Sequence, residues 1–87
     1  MIRSFRHKGV KKFFKTGSKA GIQPKHAIRL AVRLDVLDDA VGVEDMRVPG
    51  WKCHSLHGEL EGHWAVTVSG NWRLAFMFEG KNAVLVD

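Results

Sequence analysis

From Trp64 to Val68, and again from Trp72 to Phe78, large apolar side chains occupy every second position, the period of strands that bury one face. Trp64, Val66 and Val68 form one row of the first run, with His63, Ala65 and Thr67 opposite. Trp72, Leu74, Phe76 and Phe78 form a row of the second, with Arg73, Ala75 and Met77 opposite. A two-residue Gly70-Asn71 turn would pair Val68 with Arg73 and put the two large rows on opposite sides of the sheet. A three-residue loop, Ser69-Gly70-Asn71, pairs Val68 with Trp72 and aligns them. The pattern therefore predicts the three-residue loop, with Gly70 or Asn71 left-handed. Arg73 is then a fixed cation on the face away from the large side chains, among small residues that leave room for a ligand.

Elsewhere the apolar period is helical. Over Arg6 to Lys15, Val10, Phe13 and Phe14 make an apolar stripe, and Lys8, Lys11, Lys12 and Lys15 line the other face. Gly17 is the expected C-terminal glycine. Pro24 suits the first position of a second helix, which buries Ala27, Leu30, Ala31, Leu34 and Leu37 and runs to Asp39 or Ala40. Lys25, Arg29 and Arg33 form a second basic row along it. Short strands are predicted at Ile2 to Phe5, at Trp51 to Leu56 (Lys52, His54 and Leu56 on one side) and at Ala83 to Val86, the last after a turn at Glu79 to Asn82. The order of elements predicts a single α+β domain over residues 1–87. Two N-terminal helices pack as an antiparallel pair on a mainly antiparallel sheet of four to five strands.

Composition narrows the class. An apolar fraction of 45% over 87 residues suffices for one modest core. The lone cysteine, Cys53, excludes an intrachain disulfide, and the N-terminus carries no long apolar run. A cytoplasmic protein without signal peptide or membrane span is expected. The net charge of +5 is unevenly spread. Ten Lys or Arg residues and no acid precede Asp35, and all nine carboxylates lie from Asp35 onward. Lysines at i, i+3, i+4 and i+7 repel one another with no acid between them. They are either a solvated helix face or a surface for a polyanion, and the one-sided distribution favours the polyanion.

The groups available for chemistry are His54, His57, His63, Arg73, Lys52 and Cys53. Cleaving a phosphodiester without a metal needs a base for the attacking oxygen, an acid for the leaving oxygen and a cation for the charge that develops on phosphorus. Histidine can take either proton role near neutral pH, and arginine grips phosphate oxygens bidentately while staying charged. His54 and Arg73, on neighbouring strands, could supply a proton-transfer group and a clamp; a surface histidine and an ion-paired arginine are the plainer alternatives. Cys53 and His54 are adjacent and face opposite ways on a strand, and no CxxC or HxxxH spacing occurs, so no metal site and no cofactor is expected. Cys53 suits a small buried position.

Three segments, Ile2 to Gly9, Gly21 to Ala27 and above all His54 to Phe76 with its Val68-Ser69-Gly70-Asn71-Trp72-Arg73 hairpin, resemble the HigB-like, plasmid-maintenance-killer branch of the RelE toxin superfamily. The likeness covers almost the whole chain. It implies a microbial-ribonuclease-like α+β fold and a metal-independent endoribonuclease that cuts mRNA on the translating ribosome. By position, His54 matches a catalytic histidine of the family, Arg73 matches an arginine on the scissile phosphate, and His57 stands where relatives commonly carry lysine. Lys8, Lys11, Lys12, Lys15, Arg29, Arg33 and Lys52 would then bind mRNA and ribosomal RNA. The implied partner is a HigA-like antitoxin with a helix-turn-helix domain, so operator DNA is contacted only through the antitoxin. Relatives continue past the last strand into a short acidic and aromatic tail, whereas this sequence stops at Asp87. That departure keeps an alternative open: a non-catalytic or weakened basic module of the same fold that binds ribosome and antitoxin.

Overall fold

The computed structural model describes residues 1–87. Its elements run α1 (Lys8–Thr16), α2 (Pro24–Asp39), β1 (His54–Ser55), β2 (Trp64–Ser69), β3 (Trp72–Glu79) and β4 (Asn82–Val84), with short 3-10 turns at Val43–Met46 and Gly58–Leu60. The four strands form one antiparallel sheet in the order β1-β2-β3-β4. Ile2 and Phe5 add isolated parallel bridges to Ala83 and Val86, so the N-terminal segment lines the free side of β4. The two helices and the mainly antiparallel sheet are those the sequence predicts.

Helix α1 starts at Lys8, later than the periodicity suggests, because His7 caps it: its Nδ1 accepts the Val10 amide at 3.1 Å. Gly17 ends the helix at φ 76, and its amide donates to the Phe13 carbonyl. Pro24 opens α2, which buries Ala27, Leu30, Leu34 and Leu37. These meet Val66, Val68, Leu74 and Phe76 from the sheet in one core. Phe14 is half-buried against Phe5, ring centroids 5.8 Å apart. The Ile2 amide donates to Asp38 at 2.8 Å, tying the N-terminal segment to α2.

The hairpin reaches the predicted alignment by another route. Ser69 pairs with Trp72 across a two-residue Gly70-Asn71 turn, and the register then slips so that Thr67 pairs with Arg73 and Val66 with Leu74. The slip is a bulge that leaves Val68 without a partner strand residue. A tight turn alone would have put the large rows on opposite faces; one extra residue restores their parity. A second irregularity falls in the last strand, which ends at Val84 rather than Val86. Leu85 sits at φ 52, its amide donates to Ser4 Oγ at 2.9 Å, and pairing resumes between Asp87 and Ala75.

The predicted Trp51 to Leu56 strand shrinks to His54–Ser55. Trp51 is buried on the helix side, and its carbonyl accepts the Thr67 amide at 2.7 Å. Lys52 then turns through φ 53 before the chain can pair with β2.

Candidate functional site

Residues paired across antiparallel strands point to the same face. His54 pairs with Ala65 and Ala65 with Ala75, while Thr67 pairs with Arg73. All five therefore project from the face that the helices leave open. His54 and Arg73 are both exposed. Two strand spacings and two residues separate them, so their Cα atoms lie roughly 12 Å apart, a gap that an extended arginine and an imidazole can close around one phosphodiester.

The ring of His54 is held in one tautomer. Its Nδ1 lies 2.8 Å from the carbonyl oxygen of Lys52. A carbonyl only accepts, so in the neutral ring Nδ1 carries the hydrogen and Nε2 keeps its lone pair for an incoming proton. The left-handed turn at Lys52 is what brings that carbonyl within reach of a residue two positions on.

The small residues beside Arg73 leave less space than their size suggests. Leu56 and Leu60 fold over Ala65 and Ala75 and make a small second cluster. Arg73 stays outside it and lines a crevice of about 180 Å³ that reaches the helix-side core at Val10, Leu30 and Leu74 and also takes in His7, Leu60, Trp72, Ala75 and Asp87. Beside it, His7, Gln23, His26, Asn71 and Trp72 line a pocket of about 350 Å³. His26 is buried there against Trp72, ring centroids 4.6 Å apart, with Nδ1 unpartnered. His7, His26 and Asp87 did not stand out in the sequence. None carried a local signal: His7 fell inside the predicted helix and is not a usual capping residue, and the other two are placed by tertiary packing and the Leu85 irregularity.

The remaining candidates separate. His57 is exposed at the start of the Gly58–Leu60 turn, and its side chain makes no capping bond. His63 is buried with both ring nitrogens unpartnered, which removes it from any substrate-facing surface. Cys53 packs against the helix-side core, and burial pushes its thiol pKa up; Arg47 pulls it down and Glu44 up. Lys52 is exposed two residues before His54. Lys8, Lys11, Lys12 and Lys15 are all exposed along α1. Arg29 and Arg33 stand on α2, beside Thr67 and Ser69 at the free edge of β2.

A family model described as the RelE-like toxin of the type II toxin-antitoxin system HigB matches residues 3–87. The chain belongs to this HigB-like toxin family. It is 36% identical to endoribonuclease HigB of Proteus vulgaris over 87 residues, all of this chain and 95% of that protein. A HigB-like toxin has an antitoxin as its partner. No helix of this toxin is long and apolar enough to cross a membrane.

Proposed function

We propose that this HigB-like toxin is a metal-independent endoribonuclease that cuts mRNA on the ribosome and so stops translation. The observation that carries this is one open sheet face bearing an exposed arginine and an exposed histidine whose Nε2 is left free by its tautomer. The naming of its relative from Proteus vulgaris as an endoribonuclease points the same way.

In this mechanism the 2′-hydroxyl of the substrate attacks the adjacent phosphorus and His54 Nε2 takes its proton. Arg73 bonds the phosphate oxygens as charge accumulates on them, and the 5′-oxygen leaves with a proton for which His57 is the candidate donor. The products are a 2′,3′-cyclic phosphate and a 5′-hydroxyl. Lys8, Lys11, Lys12, Lys15, Arg29, Arg33 and Lys52 supply the sequence-independent grip on mRNA and ribosomal RNA. A HigA-like antitoxin with a helix-turn-helix domain neutralises the toxin, and operator DNA is reached only through it. The place of action is the cytoplasm.

The test maps new 5′ ends on ribosome-bound mRNA. The unaltered toxin should generate them, and His54→Ala should lower the rate by about 100- to 10,000-fold. Cleavage unchanged in both His54→Ala and Arg73→Ala would sink the assignment. Tight ribosome binding with no new 5′ ends would favour the non-catalytic alternative.

A further inference from the structure

The free edge of β2 carries a second arrangement of cations, supplied by α2 rather than by the strands that bear His54 and Arg73. Beyond Ala65 this edge has no partner strand, and both backbone groups of Thr67 point off it. The amide donates to the Trp51 carbonyl at 2.7 Å, and the carbonyl accepts from Arg33 Nε at 2.9 Å. Arg33 Nη1 also donates to the Arg29 carbonyl at 3.1 Å, and the guanidinium carbon lies 4.6 Å from the centre of the Trp51 ring. Two hydrogen bonds and a stacking contact thus fix the plane of this guanidinium. A guanidinium has five N–H donors, so three of Arg33's are left over.

Arg29 stands one turn earlier, exposed, its Nη1 3.5 Å from Ser69 Oγ. The two arginines share an open pocket of about 420 Å³ with Gly50, Trp51, Ser69 and Gly70. A Cβ added at Gly50 or Gly70 would meet nothing within 4 Å, so the mouth is unobstructed. The charges acting on Arg33 include no carboxylate: burial and Arg29 both lower its pKa. Two neighbouring cations thus face one pocket whose lining includes no carboxylate.

We propose that Arg29, Arg33 and Ser69 form a phosphate-binding site for the backbone of an RNA strand. The site lies on the β2 edge and is separate from the group that transfers protons. Arg33 is the fixed fork and Arg29 the second, exposed cation. An acidic protein segment fits less well, because Trp51 and Val68 are buried and give a peptide no apolar anchor. A tetrahedral phosphate with its ribose suits the open, donor-lined mouth. Lys25, one turn before Arg29, extends the row for the next phosphate. The proposal rests on RNA being the partner, as above, but not on cleavage.

The experiment measures fluorescence anisotropy of a labelled single-stranded 2′-O-methyl oligoribonucleotide, which cannot be cut through its 2′-oxygen, against the full chain over a range of salt. Arg29→Ala should weaken binding about tenfold at low salt, and the slope of log affinity on log salt should shrink by about 0.7. Lys81→Ala, which removes a charge from the β3–β4 turn, should do neither. Arg33→Lys should weaken binding while its melting curve still shows a folded protein, since an ammonium cannot make the fork. The proposal falls if Arg29→Ala binds as the parent does, if Lys81→Ala loses as much, or if Arg33→Lys keeps full affinity. It also falls if Arg29→Ala spares RNA and loses only the antitoxin. Failure of the nuclease assignment is read separately, from the 5′ ends, and leaves the anisotropy result standing.

Discussion

On the helix side of the sheet Val66, Leu74 and Phe76 are shut off from solvent; one position along the same strands, Thr67 is half-exposed and Arg73 is exposed. The helix side joins sixteen buried residues drawn from both helices, the sheet and the connecting loops. The open side joins three, Leu56, Ala65 and Ala75. The first is large enough to hold the domain together, and the second only steadies the ground on which Arg73 and His54 stand. Stability and chemistry are thereby placed on alternate residues of the same strands, so either can be altered while the other is watched.

The largest effect tests the helix side. Phe76 is fully buried at the centre of that core, and Phe76→Ala should cost about 3 to 5 kcal/mol. That is a large share of the roughly 5 to 15 kcal/mol available to a small domain. Urea unfolding would measure it, and RNA cleavage should fall only as far as the folded fraction falls.

Arg73→Ala makes the opposite cut. The side chain is exposed, so unfolding should move by less than about 0.5 kcal/mol. Cleavage should fall about 100- to 1,000-fold, as when one preorganised group serving a developing oxyanion is lost. If Arg73→Ala unfolded the protein instead, the division between the two faces would be wrong.

Much of this division was written in the residue pattern. The alternation through the hairpin demanded that Val66 and Leu74 share a face, and the structure obeys it. Parity is all that alternation specifies, however. A three-residue loop and a tight turn with a bulge at Val68 satisfy it equally, and only the local backbone chooses between them. Helices α1 and α2 were legible because their stripes, Gly17 and Pro24 agree with one another. The segment before His54 was not legible. Its alternation continues past Lys52, but burying Trp51 and bonding its carbonyl to Thr67 set the path there, and those demands come from residues far along the chain. The same turn fixes the tautomer of His54, so the imidazole was visible in the sequence and its readiness was not. His26 against Trp72 is likewise a product of packing α2 on β3.

A smaller effect tests the open side's own packing. Leu56 covers Ala65 and Ala75. Because that cluster is small and near the surface, it can settle after truncation. Leu56→Ala should cost about 2 kcal/mol, the low end for a buried leucine, while releasing the floor beneath the histidine and the arginine. Cleavage should therefore drop by more than the loss of folded protein explains, unlike Phe76→Ala. Equal behaviour of the two variants would show that the open cluster positions nothing.

The smallest effect comes where the two faces meet in adjacent residues. Cys53 packs toward the helix-side core, and His54 projects from the open side. Burial, the leading cause, raises the Cys53 pKa, against a smaller downward pull from Arg47. The folded protein thus holds the thiol proton more tightly than the unfolded chain does. By linkage the thiol's contribution to stability is complete below the unfolded pKa of about 8.5 and is lost as pH climbs through the higher folded value. The parent's unfolding midpoint should therefore decline over that alkaline window relative to Cys53→Ala. At neutral pH the two should differ by a constant packing offset. The decline will be slight, because the thiol is only part-buried and solvent screens it. A difference between parent and Cys53→Ala that stayed level from neutral to alkaline pH would mean that the thiol is as wet as its neighbour, and that the boundary between the faces does not pass between residues 53 and 54.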